Sequence, residues 1–302
     1  QAGAVIKAVF GTVNGDTMKP MKNTATGKNQ PGACVQAKRR YNANLDSSQE
    51  EAIDFALGGR SLGLIHGPPG TGKTSTVVEL IRRAVYDNGW KVLVTAPSNV
   101  AVDNVLERLV AHNNGSKSSR RSRKGKSESS SGNAANAFGT APPRKLRAVR
   151  LGHPARIKAS IQPYSLESLV NCADGTEVVN DVRKELASFV KVLSDDKARY
   201  ADRRVARREV KVLRSELRQR EETVVDDLIS SADVILATNV GAASSALNKY
   251  IKKGRGGFDL VVIDEAAQAL EASCWIPILR GQRLVLAGDH RQLPPTIKCN
   301  DA

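Results

Sequence analysis

Short apolar runs alternate with amphipathic stretches over most of this chain of 302 residues. Several runs are apolar throughout and bounded by turn residues, as expected for parallel strands that are covered on both faces. The runs that predict strands are Leu62–His66, Lys91–Thr95, Leu146–Leu151, Val234–Thr238, Leu260–Ile263 and Arg283–Ala287. Because helical stretches separate them, the pattern predicts a doubly wound α/β domain, with a mostly parallel sheet and helices on both faces.

The amphipathic stretches predict the helices. Leu45–Leu57 is expected to form a helix capped by Asp46 or Ser47, and Thr76–Tyr86 carries an apolar stripe at helical spacing. Residues 178–228 combine apolar positions at helical spacing with arginines and lysines on the other faces. They predict two long helices, a hairpin within a helical insertion at about residues 155–230. Its basic face has two open interpretations, a solvated surface or a nucleic-acid binding stripe.

Two segments lack the alternating pattern. Residues 1–44 are rich in Gly, Asn and Lys around one apolar run, Val5–Phe10, and are expected to be a remnant of a preceding accessory domain or loop. Residues 113–143 are of low complexity, with basic residues amid serines, and cannot bury enough apolar area to offset the entropy of ordering. We therefore expect a disordered insertion, either simply solvated or in contact with nucleic-acid phosphates.

A phosphate-binding loop follows the first predicted strand. Its pattern, G-x-x-x-x-G-K-T between a strand and a helix, is the context that such a loop requires. Its glycines let backbone N–H groups surround an anion at a helix N-terminus. Lys73 is expected to reach the β- and γ-phosphates and the Thr74 hydroxyl to hold Mg²⁺. The predicted nucleotide-binding residues are Gly67, Pro68, Pro69, Gly70, Thr71, Gly72, Lys73 and Thr74.

Two carboxylates end the predicted strand at Leu260–Ile263. Asp264 is expected to bind Mg²⁺, and Glu265 to polarise the attacking water as a general base. An acidic strand end that merely caps the next helix is the alternative, and the phosphate-binding loop makes it the weaker one.

Two glutamines are further candidates for the nucleotide site. Gln292 lies in Gly288–Pro295, directly after the last predicted strand, where its amide can bond a γ-phosphate or the lytic water. Gln49, upstream of the phosphate-binding loop, can recognise adenine through its amide, although an isolated Gln on a helix is usually surface decoration.

Short polar side chains end two other strands. Ser98, Asn99 and Thr238 can hold a nucleic-acid phosphate without reading bases, or can simply cap the chain turn that follows. His66 and His153 have no partners at metal-ligand or triad spacing along the sequence, and His290 neighbours Asp289 but no nucleophile. No catalysis is therefore assigned to any of the three.

The composition indicates a class of binding partner and a cellular compartment. A net charge of +15 with pI ≈ 9.8 favours a polyanionic partner, while the scarcity of aromatic residues gives no indication of base stacking. Four dispersed cysteines, Cys34, Cys172, Cys274 and Cys299, form neither a zinc pattern nor a disulfide framework. We therefore expect an intracellular, cytoplasmic or nuclear protein. No apolar run is long enough to span a membrane, so no membrane partner is expected.

The order of the motifs resembles that of the superfamily-1 helicases of the nonsense-decay type, subgroup B. The resemblance covers roughly residues 45–298 apart from the low-complexity segment. A narrower resemblance to one branch of this group rests on Arg150–Arg156, Ile263–Pro277 and Leu286–Pro295.

The resemblance implies a RecA-like P-loop NTPase, with residues 45–302 as the first of two RecA-like domains. It implies a 5′-to-3′ motor that uses ATP and Mg²⁺ on single-stranded RNA or DNA. The implied catalytic residues are Glu265, Lys73 and Gln292; Gln49 contacts adenine, and Ser98, Asn99 and Thr238 touch the nucleic-acid backbone. The helical insertion is implied to grip nucleic acid.

The chain begins at Gln1 and stops at Ala302, and we expect a fragment that lacks the second RecA-like domain. Such domains supply arginine fingers worth about 10³–10⁵ in rate, so slow turnover is expected. Two other functions stay open: a P-loop ATPase that remodels protein or nucleoprotein complexes without unwinding, and a non-enzyme that only binds RNA or DNA.

Overall fold

The computed structural model describes residue 6 and residues 39–58, 60–111, 143–173, 176–195, 199–254 and 256–295. Most of the predicted N-terminal remnant, 1–44, and nearly all of the predicted insertion, 113–143, lie outside the described residues. The remainder forms one parallel sheet with helices on both of its faces, which confirms the predicted α/β architecture.

The sheet has the strand order β1-β6-β5-β2-β4-β3 in the described residues. Its strands are β1 (Leu62–His66), β2 (Val92–Ala96), β3 (Ala148–Arg150), β4 (Val234–Thr238), β5 (Leu260–Ile263) and β6 (Leu284–Gly288). Every predicted strand is present, and three of them, β1, β4 and β5, begin and end at the predicted residues. β2 and β6 begin and end one residue later than predicted, and β3 is shorter than predicted, spanning only Ala148–Arg150, the residues that pair with β4.

Helices connect the strands. They are α1 (Ser47–Leu57), α2 (Lys73–Tyr86), α3 (Asn99–Ala111), α4 (Leu166–Cys172), α5 (Thr176–Ser194), α6 (Tyr200–Ser231), α7 (Ser245–Lys252) and α8 (Glu271–Ile278). Asp46 caps α1 in a capping box with Gln49, as one of the two expected caps. No helix in the described ranges is both long and apolar enough to cross a membrane.

The core lies on both faces of the sheet. On one face of the sheet, alternate strand residues such as Val94 and Leu236 pack against α1, α2 and α3. Their neighbours, such as Leu93 and Ile235, pack on the opposite face with the end of α6 and with α7 and α8. This two-sided burial explains the continuous apolar runs in the sequence.

The predicted helical hairpin is present as α5 and α6. Arg183, early in α5, pairs with Glu221 late in α6 at 2.7 Å, so the two helices run antiparallel. Val210 and Leu213 of α6 are buried, while Ile229 at its end joins the core under the sheet. The basic side chains at Arg204, Arg207, Arg208, Lys211 and Arg214 are exposed.

The topology brings the predicted strand-end motifs to one side of the sheet, the side formed by the carboxyl ends of its strands. Because all strands run parallel, their carboxyl ends share this side, where ligands of open α/β sheets bind. The phosphate-binding loop follows β1, the Gln292 segment follows β6, and the two carboxylates follow β5. The segments after β2 and β4 lie next along the same side, since Ala96 pairs with Thr238.

Candidate nucleotide and nucleic-acid site

The phosphate-binding loop closes on itself before α2 begins. Gly70 and Gly72 have positive φ values of 81° and 77°, which L side chains rarely adopt. A Cβ at Gly72 would also lie 2.5 Å from Gln49 Nε2. The hydroxyl of Thr71 donates to the Pro68 carbonyl at 2.8 Å. The geometry therefore favours glycine at Gly72, which the motif specifies, and at Gly70, which occupies one of its variable positions.

A cavity of about 260 Å³ opens beside this loop. It is lined by Ser48, Gln49, Ala52, Ile65, His66, Gly67, Pro68, Thr71, Lys73 and Thr76. The cavity joins the loop to α1, so phosphate-binding and base-binding candidates face one space.

Lys73, at the start of α2, and Glu265, directly after β5, form an ion pair beside the carboxyl ends of the strands. The Lys73 ammonium lies 3.2 Å from one carboxylate oxygen of Glu265 and 3.3 Å from the other. The lysine side chain is only 8% exposed, and that of Glu265 23%. The structure therefore brings together the predicted phosphate-binding lysine and the predicted general base.

Glu265 occupies a strained backbone conformation. Its φ of 51° and ψ of 40° are left-handed, and it is the one non-glycine residue with positive φ among those described. Such strain costs on the order of 1–3 kcal/mol and persists where the surroundings enforce it, commonly at functional sites. The conformation turns the chain sharply after β5, at the point where the carboxylate meets Lys73.

Asp264 is buried beside Glu265. Its side chain accepts a hydrogen bond from the Glu265 backbone N–H at 3.0 Å. Burial, followed by the neighbouring charge of Glu265, raises the pKa of Asp264 to about 6. A cation placed against a buried carboxylate in this state would stabilise its charged form.

Asp264→Asn is expected to stabilise the chain in the absence of divalent cations, by on the order of 2–3 kcal/mol near neutral pH. With its pKa raised from 3.8 to about 6, Asp264 binds a proton more tightly in the folded chain. The contribution of protonated Asp264 to the free energy of unfolding is fully present below about pH 4 and is lost as pH rises through about 6. Urea unfolding on either side of pH 6 measures the effect.

Asp181→Asn, a change at a well-exposed carboxylate of α5, is the matched control and should leave the free energy of unfolding near its starting value. An Asp264→Asn variant no more stable than the unaltered chain at neutral pH would contradict the buried, repelled state of Asp264.

Gln292 does not bond the phosphate-binding loop in this structure. Its amide nitrogen donates to Asp289 Oδ2 at 3.1 Å. The other oxygen of Asp289 accepts from the Arg291 backbone at 3.0 Å and lies 3.1 Å from His66 Nε2. The Arg291 and Gln292 hydrogen bonds lower the pKa of Asp289 to about 2, so the carboxylate stays charged. Asp289 therefore ties the end of β1 to the Gln292 segment.

The sequence spacing indicates no partner for His66, but the structure shows two. Asp289 is one, and the ring of His290 lies 5.0 Å from that of His66, centroid to centroid. The ligand atoms of these three side chains all lie within 4.8 Å of one another. His66 and Asp289 are 223 positions apart in the sequence, so no local pattern could predict this cluster.

Gln49 joins α1 to the phosphate-binding loop. Its Nε2 donates to the Thr71 carbonyl at 2.9 Å, and its Oε1 accepts from the Asp46 backbone at 3.3 Å. Gln49 is thus not surface decoration. An amide carries two N–H donors and two lone pairs, so one donor and one lone pair remain after these two bonds.

The three predicted nucleic-acid contacts share a hydrogen-bonding pattern. Ser98 Oγ accepts from the Ala101 backbone at 3.1 Å, and Thr238 Oγ1 from the Gly241 backbone at 3.0 Å. Asn99 Oδ1 accepts from Arg150 Nη2 at 2.9 Å. Each oxygen is therefore engaged as an acceptor by the protein, which leaves hydroxyl or amide hydrogens to donate. Capping and ligand contact, separate alternatives from the sequence, are compatible in one side chain.

The sequence is similar to known proteins over most of its length. It matches the family described as "AAA domain" over residues 44–300. "DNA-binding protein SMUBP-2" of Mesocricetus auratus is 44% identical over 258 residues, 85% of this chain and 22% of that protein. "DNA polymerase alpha-associated DNA helicase A" of Schizosaccharomyces pombe is 36% identical over 258 residues, 85% of this chain and 33% of that protein.

A third relative has a different name. "Regulator of nonsense transcripts 1 homolog" of Drosophila melanogaster is 30% identical over 263 residues, 86% of this chain and 18% of that protein. The chain thus spans between 18% and 33% of the length of these three relatives.

Proposed function

This chain belongs to the AAA domain family, in the branch of the superfamily-1B helicases typified by SMUBP-2, and from that membership we propose that it is the ATP-binding half of a motor acting on single-stranded RNA or DNA. The motor would move 5′ to 3′, as the motif resemblance implies. The observation that carries the proposal is the Lys73–Glu265 ion pair between the phosphate-binding loop and the end of β5. The pair supports the proposal because it holds an ammonium that could bind phosphate 3.2 Å from a carboxylate that could accept a proton.

The phosphates of ATP would bind the backbone N–H groups of Gly67–Thr74 and the ammonium of Lys73. When they do, they compete with Glu265 for Lys73, and the released carboxylate becomes free to accept a proton from the attacking water. Gln292 would bond the γ-phosphate or this water, on a segment fixed by Asp289. These steps make Lys73, Glu265 and Gln292 the proposed catalytic residues.

Mg²⁺ fits the donors present. The Thr74 hydroxyl and the Asp264 carboxylate offer the hard oxygen ligands that it prefers. Burial, followed by the charge of Glu265, raises the pKa of Asp264, so a cation beside this carboxylate would stabilise its charged form. Mg²⁺, when bound, neutralises charge on the phosphates. Thr74 and Asp264 would orient it beside the loop.

Gln49 would read adenine without leaving the loop. Its remaining amide hydrogen and lone pair match the N7 acceptor and N6 donor of adenine, the pairing that Asn and Gln use on this base. The bond to the Thr71 carbonyl would hold the amide in position.

Nucleic acid would lie across the ends of β2 and β4. Phosphodiester oxygens only accept hydrogen bonds, and Ser98, Asn99 and Thr238 present donors at adjacent strand ends. The net charge of +15 favours the same partner. These features support the motor over an ATPase that remodels protein complexes. A nucleic-acid motor would act inside the cell, in nucleus or cytoplasm.

A second RecA-like domain would complete the site. The relatives are three to five times longer than the matched region, and the helicase resemblance implies arginines that reach the γ-phosphate from such a domain. We therefore propose that residues 1–302 bind ATP and hydrolyse it very slowly.

Binding of poly-U or poly-dT oligonucleotides should weaken steeply with salt, by about 0.7 log units per log unit of salt for each neutralised phosphate. Ser98→Ala, Asn99→Ala and Thr238→Val should together lower the affinity by about 10- to 100-fold, because each removes a donor. The salt slope should stay the same, since these side chains are neutral. Fluorescence anisotropy over a salt series measures both quantities.

Ser188→Ala, at an exposed hydroxyl of α5, is the control and should change neither quantity. A flat salt dependence would exclude the basic surface as the binding face. Unchanged affinity in the triple variant would exclude the donors at β2 and β4.

A further inference from the structure

Arg150 is a fully buried cation on the edge strand β3, with 0% of its side chain exposed. Removing a guanidinium from water costs several kcal/mol unless it is paired and hydrogen-bonded. Neither the nucleotide site nor the three strand-end donors include Arg150. Its burial therefore needs an explanation.

The partners of Arg150 come from α3 and from the chain beside β3. Its Nε donates to Asp103 Oδ1 of α3 at 2.9 Å, Nη1 donates to the Leu151 carbonyl, and Nη2 donates to Asn99 Oδ1 at 2.9 Å. The second oxygen of Asp103 accepts from the Lys158 backbone at 3.1 Å. Arg150 thus locks the first turn of α3 to the edge of the sheet, and Asn99 is the partner nearest solvent.

The bond to Asn99 decides which end of that amide faces outward. An amide flipped by 180° would point its N–H₂ group at the guanidinium, donor against donor. With Oδ1 held by Nη2, the Nδ2 hydrogens point away from Arg150. A phosphate accepts hydrogen bonds and cannot donate them, so only this orientation of Asn99 serves it.

We propose that Arg150 is a positioning residue for nucleic-acid binding, which acts by fixing the amide of Asn99 as a donor to a backbone phosphate. The inference rests on the proposed nucleic-acid function and deepens it. Arg150 itself touches no ligand. A purely structural role for Arg150 predicts a loss of stability with no specific dependence on Asn99.

A double-mutant cycle separates these roles. The four chains are the unaltered protein, Arg150→Lys, Asn99→Ala and the double variant. Arg150→Lys keeps the charge, but an ammonium lacks the planar fork that bonds Asp103 and Asn99 together. Affinity for poly-dT and poly-U oligonucleotides is measured by anisotropy, ATP affinity by calorimetry, and stability by thermal unfolding.

We expect Arg150→Lys to weaken oligonucleotide binding by about tenfold when Asn99 is present and to have no further effect in the Asn99→Ala background. ATP affinity should not change in either background. Asp103→Asn is the matched control, because it disrupts the ion pair but keeps the Arg150–Asn99 bond. It should lower the unfolding temperature while retaining most of the oligonucleotide affinity.

Equal losses of affinity in both backgrounds, or no loss in either, would overturn the positioning role. If Arg150→Lys does not fold, the side-chain amide resonance of Asn99 in the unaltered chain decides: a shift on adding oligonucleotide supports the role, and an unchanged resonance refutes it. Failure of the unaltered chain to bind either oligonucleotide would remove the proposed function itself, and this inference with it.

Discussion

Lys73→Ala is expected to weaken ATP binding by at least about 100-fold, the loss of one strong charge-assisted contact to phosphate. The change has a second cost, because Glu265 keeps its charge without the ammonium that lies 3.2 Å away. An unpaired carboxylate would then face the phosphates. Calorimetric titration with ATP and Mg²⁺ measures the loss.

Lys252→Ala is the matched control, since Lys252 is an exposed lysine at the end of α7. It should leave ATP affinity unchanged. Retention of full ATP affinity by the Lys73→Ala variant would mean that the glycine-rich loop is only a turn before a helix.

Glu265→Gln is expected to lower the already slow rate of ATP hydrolysis by about 10²–10⁴, the usual contribution of a general base. ATP binding should persist or tighten, because the neutral amide no longer holds the Lys73 ammonium by charge. The two effects have opposite signs, so a variant that is merely misfolded cannot produce them. Phosphate release and ATP affinity are measured on the same preparation.

Glu271→Gln, at an exposed carboxylate in the first turn of α8, serves as the control. Hydrolysis by the Glu265→Gln variant at the unaltered rate would assign the proton acceptor to another residue. Loss of ATP binding in that variant would show that Glu265 supports the loop and is not the base.

The features that could be predicted from the sequence are local ones. Strands such as β2 and β5 were predicted because both of their faces are buried, which requires continuous apolar runs. The phosphate-binding loop was predicted because its glycines, its lysine and its hydroxyl must follow one another in one turn. In both cases the physical requirement falls within a few consecutive residues.

The features that could not be predicted are pairings between distant residues. The sequence around Arg150 gives no sign of its burial, because a buried guanidinium is rare unless it is paired, and its partner Asp103 lies 47 positions away in α3. The His66–Asp289 contact and the left-handed backbone of Glu265 likewise depend on how β1, β5 and β6 are juxtaposed. Periodicity reports burial, and it carries no information about which buried groups meet.

Steady-state ATP hydrolysis by residues 1–302, at saturating ATP and Mg²⁺ and with and without poly-U and poly-dT, tests whether this chain holds only part of a catalytic site. ATP binding that depends on Lys73 is confirmed beforehand in the same sample. We predict that turnover stays very slow in every condition while ATP remains bound, because the γ-phosphate contacts of a second domain are required. Fast hydrolysis that depends on Lys73 and Glu265 would contradict it, since this chain would then hold a complete catalytic site.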